Sequence, residues 1–171
     1  MVQLVGETMI DRALKPLFVA TFGLMALLYV IHNIMNLAAA YGAVGYVLTL
    51  ENNAIFSNNL LPSIGAGAVP IFAWIIFLFE IATGVLCLWG ASKLWSARGG
   101  DAADFEAAKS MAKLGLGLGV VTWFGLFGTL GGAGYQMWQH EIGAGSLGDA
   151  FKFSVWAFLV LLYVGQRESA I

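Results

Sequence analysis

Charge is what this 171-residue chain has least of. Asp, Glu, Lys and Arg make up 11% of it and hydrophobic residues 60%, against about 25% and roughly 45 to 50% in an ordinary soluble domain. A mean hydropathy of +0.82 cannot be presented to water as surface, so a soluble globular fold is excluded. The eight Lys and Arg residues form no cluster and the net charge is -2, which leaves no footprint for nucleic acid. The lone cysteine, Cys87, excludes an internal disulfide and any CxxC motif, and its expected role is that of a small apolar filler. No nucleophile with a base and an orienting group, no P-loop and no dinucleotide fingerprint is present, so no enzymatic reaction is expected. The residues before Leu17 include Glu7 and Asp11 and lack the pattern of a cleavable signal, so the first apolar run is expected to persist in the mature protein.

What the chain does have is long apolar runs. About 20 such residues cross a hydrocarbon core of roughly 30 Å, and four runs qualify, at 17–40, 69–91, 114–133 and 147–164. Runs of this length in lipid must satisfy their own backbone hydrogen bonds, which predicts helices. The expected fold is therefore an all-α membrane protein, a single domain over 1–171 with four transmembrane helices in a bundle. Pro16 and Pro70 stand where helices are expected to begin. Arg12, Lys15, Lys93, Arg98, Lys109, Lys113 and Arg167 fall on the side shared by both termini, with Lys152 opposite, so the positive-inside rule predicts cytoplasmic termini. The longer outer loop, 41–68, is expected either to lie on the bilayer with Tyr46, Leu48 and Leu50 dipping in, or to dock a partner.

A few polar residues interrupt these runs. Glu80 falls mid-way along the second span, where an ionised carboxylate costs roughly 2.5 kcal/mol or more, so it is expected to face protein or water. A buried hydrogen bond between helices and an active role both fit such a residue. At about 1.5 Å per residue, Tyr29 and Thr122 come to the depth of Glu80, with His32 above them, and these are its expected partners. His32, Asn33 and Asn36 lie three and four apart and form one polar stripe, read as interhelical bonding or as the wall of a cavity ending on Glu80. His32 and His140 are poorly placed for a haem, since His140 falls beyond the third span, and Met35, Met137 and His140 have no copper-site spacing. No metal and no cofactor is expected. In the third span, Gly115 with Gly119, Gly128 with Gly132, and Gly125 provide small faces for close helix packing, within the chain or against another one.

From Leu17 to Val164 the chain resembles a bacterial family known as predicted small integral membrane proteins, a domain of unknown function. His32-Asn33-Ile34-Met35-Asn36-Leu37 matches a family run of Asn-Asn-x-x-Asp-Tyr, and "VGYVLTLE", residues 44–51, matches a following segment. Glu80 stands where the family has an acidic residue, "FEAAK" resembles its inner loop, and "AFKF", 150–153, the start of its fourth span. Gly131, Gly132, Met137, Trp138 and Gln139 repeat its Gly-Gly and Met-Trp-Gln pattern. Asn36, Leu37 and Ala133 replace a family Asp, Tyr and acidic residue, so no role of those groups carries over. The resemblance implies architecture and a bacterial inner membrane; it implies no reaction. Taken together, these features favour a non-enzymatic accessory or assembly subunit packed against other membrane subunits or copies of itself. The alternative is a small transporter or channel component in which Glu80 binds a proton, a cation or a polar solute.

Overall fold

In a computed structural model the described residues are 2–51, 53–56 and 58–168, with side chains from residue 9 onward. They form five α-helices: α1 (Val2–Met35), α2 (Leu37–Leu48), α3 (Val69–Ala97), α4 (Ala102–Val120) and α5 (Glu141–Gly165). A π-helical segment, Val121–Gly134, prolongs α4, and no strand occurs among the described residues. Four stretches are long and apolar enough to cross a membrane: Met9–Met35, Ala66–Ala97, Ala102–Gly134 and Glu141–Gly165. The sequence places these four runs correctly, while their ends differ from expectation.

The first run divides. α1 ends at Met35, Asn36 leaves helical geometry at φ -125° and ψ 44°, and the chain resumes as α2. The break occurs at a short polar side chain that bonds locally, the Asn36 Nδ2 donating to the His32 carbonyl at 2.9 Å. Pro16 lies inside α1 and does not start it. Membrane helices tolerate an interior proline where surrounding groups hold the turn, and Arg12 and Lys15 anchor this one to the far end of the chain. α3 begins as expected, with Pro70 in its first turn. α4 begins well before residue 114, because Asp101 caps it by accepting the Asp104 N–H at 2.8 Å.

α3 is the central rod, and small residues let its neighbours touch its backbone. A Cβ placed on Gly84 would lie 2.9 Å from the Gly23 carbonyl oxygen of α1, and one on Gly90 would lie 2.3 Å from the Ala112 nitrogen of α4. Val19, Phe22, Cys87, Leu94, Phe105, Leu116, Phe153 and Val164 fill the core between α1, α3, α4 and α5. Cys87 is free and fully buried, a filler at the α3–α4 contact. Leu24, Ile31, Leu78, Trp89, Leu159 and Leu162 point outward and are exposed, an apolar exterior suited to acyl chains.

The bundle end that carries residues 12 and 168 is closed by buried ions. Glu168 pairs with Lys15, with Lys109 at 2.8 Å and with Arg12 at 3.4 Å. Lys109 also reaches Glu106 at 2.9 Å and the Gln166 carbonyl at 2.6 Å, and Arg12 donates to the Gly100 carbonyl at 2.8 Å. All three cations sit over the ring of Phe105, 5.2 to 5.9 Å from its centroid. The sequence pattern identified these bases only as a topology signal; nothing in their spacing showed that they converge on one carboxylate.

Candidate functional site

At the opposite half of the bundle a cavity of about 460 Å³ opens between α1, α2, α3, the π segment and α5. That volume suits a small organic molecule. Its wall is mainly apolar, and the π segment supplies Trp123, Phe127 and Leu130. Runs of π-helix are rare and usually short; here the i to i-5 pattern persists to the end, where the Tyr135 N–H donates to the Leu130 carbonyl at 2.8 Å.

Glu80 projects from the middle of α3 into this cavity and is 3% exposed. The side chain of Asn33 on α1 approaches its carboxyl, and its Oε2 has no hydrogen-bond partner among the described residues. The sequence expectation of Tyr29 or Thr122 as partner is corrected here. Tyr29 does line the cavity, but its ring lies tilted against Phe153 with centroids 4.8 Å apart, and the Thr122 hydroxyl donates to its own helix at the Leu118 carbonyl, 2.8 Å away. A threonine in a helix has that backbone oxygen always within reach, which depth alone does not reveal.

The polar stripe also separates. Asn33 is half-buried and faces the cavity, whereas His32 and Asn36 are exposed on the outside of α1. His32 Nδ1 lies 3.0 Å from the Leu28 carbonyl. Residues three or four apart share a face only broadly, and the edge of this one falls between Asn33 and its neighbours.

The third-span glycines divide between interior and exterior. Gly115 abuts Cys87, Gly119 abuts Phe22 and Thr83, and Gly132 abuts Leu147, all inside the chain. Gly125 and Gly128 meet only side chains and backbone of their own helical segment. Gly128 and Gly132 therefore have different surroundings and do not act as one packing pair.

Above the cavity, the Met-Trp-Gln motif clamps the long loop. Met137 is buried with Val47 and Tyr135, Trp138 meets Phe56 edge-on at 5.5 Å, and Gln139 Oε1 accepts the N–H groups of Ile55 and Phe56 at 2.8 and 3.1 Å. The loop residues expected to dip into lipid turn inward: Leu48 and Leu50 pack against this cluster, and Tyr46 meets His140 edge-on at 4.7 Å. Inward packing wins because the motif offers them a preformed apolar seat. Among the described residues, no group of three His, Cys, Asp or Glu side chains could hold a metal ion.

A family model described as predicted small integral membrane protein (DUF2165) matches residues 11–167. The chain belongs to this family. It is an integral membrane protein, and contact with a lipid bilayer follows. Neither a curated protein nor a solved structure is matched by it. The family match spans Glu80, Asn33 and the loop clamp alike.

His140, which the sequence places badly for a haem or copper ligand, serves as a helix cap. Its Nδ1 accepts the Gly143 N–H at 3.0 Å at the start of α5, and its buried Nε2 has no hydrogen-bond partner among the described residues. Burial pushes the imidazole pKa below its ordinary value of 6.5. A base whose folded pKa is depressed binds more protons when unfolded, so its stabilisation is complete above 6.5 and is lost as pH falls below that value. Protonation would also occupy the capping nitrogen and set a cation at a helix N-terminus. The unfolding midpoint of the purified protein is therefore expected to fall between about pH 7 and 5. His140→Asn, which keeps an acceptor, should flatten that dependence, and His140→Ala should cost about 1 kcal/mol at pH 8. An unchanged pH profile in His140→Asn would count against the cap as its source.

Proposed function

We propose that this protein is a small-molecule-binding membrane protein, a transporter component in which Glu80 and Asn33 hold the polar end of a largely apolar ligand. One observation carries the reading: a nearly fully buried carboxyl with an unpartnered oxygen faces a cavity large enough for an organic molecule. A carboxyl at membrane depth is costly to keep, and an unsatisfied oxygen adds to that cost, which a ligand donor would remove. The accessory-subunit reading has less to rest on, because Gly115, Gly119 and Gly132 spend their small faces on this chain's own helices. With both termini cytoplasmic by the positive-inside rule, in a bacterial inner membrane, the cavity lies in the outer half of the bilayer. No reaction is assigned to it.

N-Phenyl-1-naphthylamine, an uncharged apolar fluorophore with one N–H donor, is a suitable probe for protein in detergent micelles. Saturable binding is expected, weakened about tenfold or more in Glu80→Leu, as loss of one buried hydrogen bond to a carboxyl implies. Ala43→Trp, at the exposed cavity rim, should also weaken it by filling the mouth. Equal saturable binding in wild type and both variants would sink the proposal.

A further inference from the structure

The wall of the Glu80 cavity carries charge of one sign. Two carboxyl groups, Glu80 and Asp149, line it, and among the described residues no Lys, Arg or His side chain does. Asp149 sits at the exposed rim, where Lys152 pairs with it at 2.9 Å, so the deep charge is that of Glu80 alone. The same cavity wall carries aromatic rings, among them Tyr29 of α1, Phe77 of α3, Trp123 of the π segment and Phe153 of α5. Trp123 and Phe153 meet edge-on at 5.5 Å, and Phe153 also contacts Tyr29, so these three rings form one connected group. Ring faces attract cations, most strongly when desolvated, and a carboxylate adds a full opposite charge. A neutral ligand would use the carboxyl only as a hydrogen-bond acceptor, and an anionic one would be repelled by it.

We infer that the ligand is a hydrophobic organic cation, an amine or quaternary onium with apolar substituents, whose charge is seated between the Glu80 carboxyl and the aromatic rings. The inference rests on the cavity reading above and names its ligand class. The apolar substituents fill the remaining wall, formed by residues such as Val44, Ile76 and Leu126. The carboxyl balances either a proton or the ligand's charge, so binding of a permanent cation at a protonated site releases one proton to solvent. The other titratable groups lining the cavity are Tyr29 from α1, Tyr135 after the π segment and Asp149 from α5; α2 contributes none.

Tetraphenylphosphonium and tetraphenylborate have the same shape and opposite charge, which makes them the decisive pair. Titrated into the full chain in detergent, the phosphonium is expected to bind saturably, tightening by up to about tenfold per pH unit while the carboxyl is losing its proton. The borate should show no saturable binding. Glu80→Gln should weaken the phosphonium at least tenfold and abolish the pH dependence, and Ala43→Trp, which leaves the carboxyl untouched, should weaken it at every pH. Borate binding as tight as phosphonium, or phosphonium binding unaffected by Ala43→Trp and by Glu80→Gln, would overturn the inference. Should the naphthylamine bind in a Glu80-dependent manner while the phosphonium does not, the charge assignment falls and the cavity reading stands. Loss of both removes the two together.

Discussion

Replacing Gly90 by alanine is expected to destabilise the bundle by about 3 kcal/mol or more, although only one methyl group is added. The added Cβ would lie 2.3 Å from the Ala112 nitrogen and 2.5 Å from its Cα. These are backbone atoms of α4, so no side chain can rotate out of the way, and relief requires the two helices to part along their whole contact. That contact includes Gly115 against Cys87 one turn further on, so parting it opens the centre of the core. Gly117→Ala is the matched control. It lies on α4 itself, has nothing within 4 Å of the position its new methyl would take, and replaces a poor helix former by the best one. Unfolding by sodium dodecyl sulfate in mixed micelles should show a large loss for Gly90→Ala and no loss for Gly117→Ala. Similar behaviour of the two variants would refute the close α3–α4 approach.

Four apolar runs made the four crossings legible, because length and hydropathy are all that a span requires. Glu80 was legible as an anomaly for the same reason. Its surroundings were not: depth arithmetic placed Tyr29 and Thr122 beside it, but the Thr122 hydroxyl bonds its own helix and the Tyr29 ring lies against Phe153, while Asn33 is the side chain that approaches the carboxyl. Helical rotation decides such cases, and the sequence sets it only through packing of the small residues. Gly23, Gly84 and Gly90 determine that packing, yet they are dispersed among large residues on α1 and α3 and form no recognisable pair with one another. The third-span glycines drew notice because they recur, yet recurrence alone does not tell which of them meet another helix, and Gly125 and Gly128 do not. The loop clamp built on Gln139 depends on contacts more than 80 residues apart, beyond any local pattern.

The second large effect is expected at the other end of the molecule, where Glu168→Gln should cost about 3 to 5 kcal/mol. Glu168 is the carboxylate shared by Arg12, Lys15 and Lys109, whose side chains are no more than 3% exposed. Neutralising it leaves Lys109 with Glu106, and leaves Lys15 and Arg12 with the Phe105 ring and the Gly100 carbonyl. Uncompensated buried charge is the expensive outcome, so removing one cation as well should recover part of the loss. Glu168→Gln combined with Lys15→Met is accordingly expected to be more stable than Glu168→Gln alone. Burial acts to raise the Glu168 pKa and is outweighed by hydrogen bonds and charge from Lys109 and Lys15, which hold it below its ordinary value of 4.5. A carboxyl with a depressed folded pKa gives stability that is complete above 4.5 and is lost as pH falls through the folded value. Acid unfolding of the wild type should therefore steepen below that pH, and Glu168→Gln should show a shallower acid limb from a lower starting stability. The same ions hold the chain after α5, since Lys109 takes the Gln166 carbonyl and Glu106 accepts the Glu168 N–H at 2.8 Å. Amide exchange at Glu168 should accelerate in the variant while exchange in the middle of α3 is retained. Unchanged exchange at Glu168 together with unchanged stability would show that this carboxylate does not organise the ionic end of the bundle.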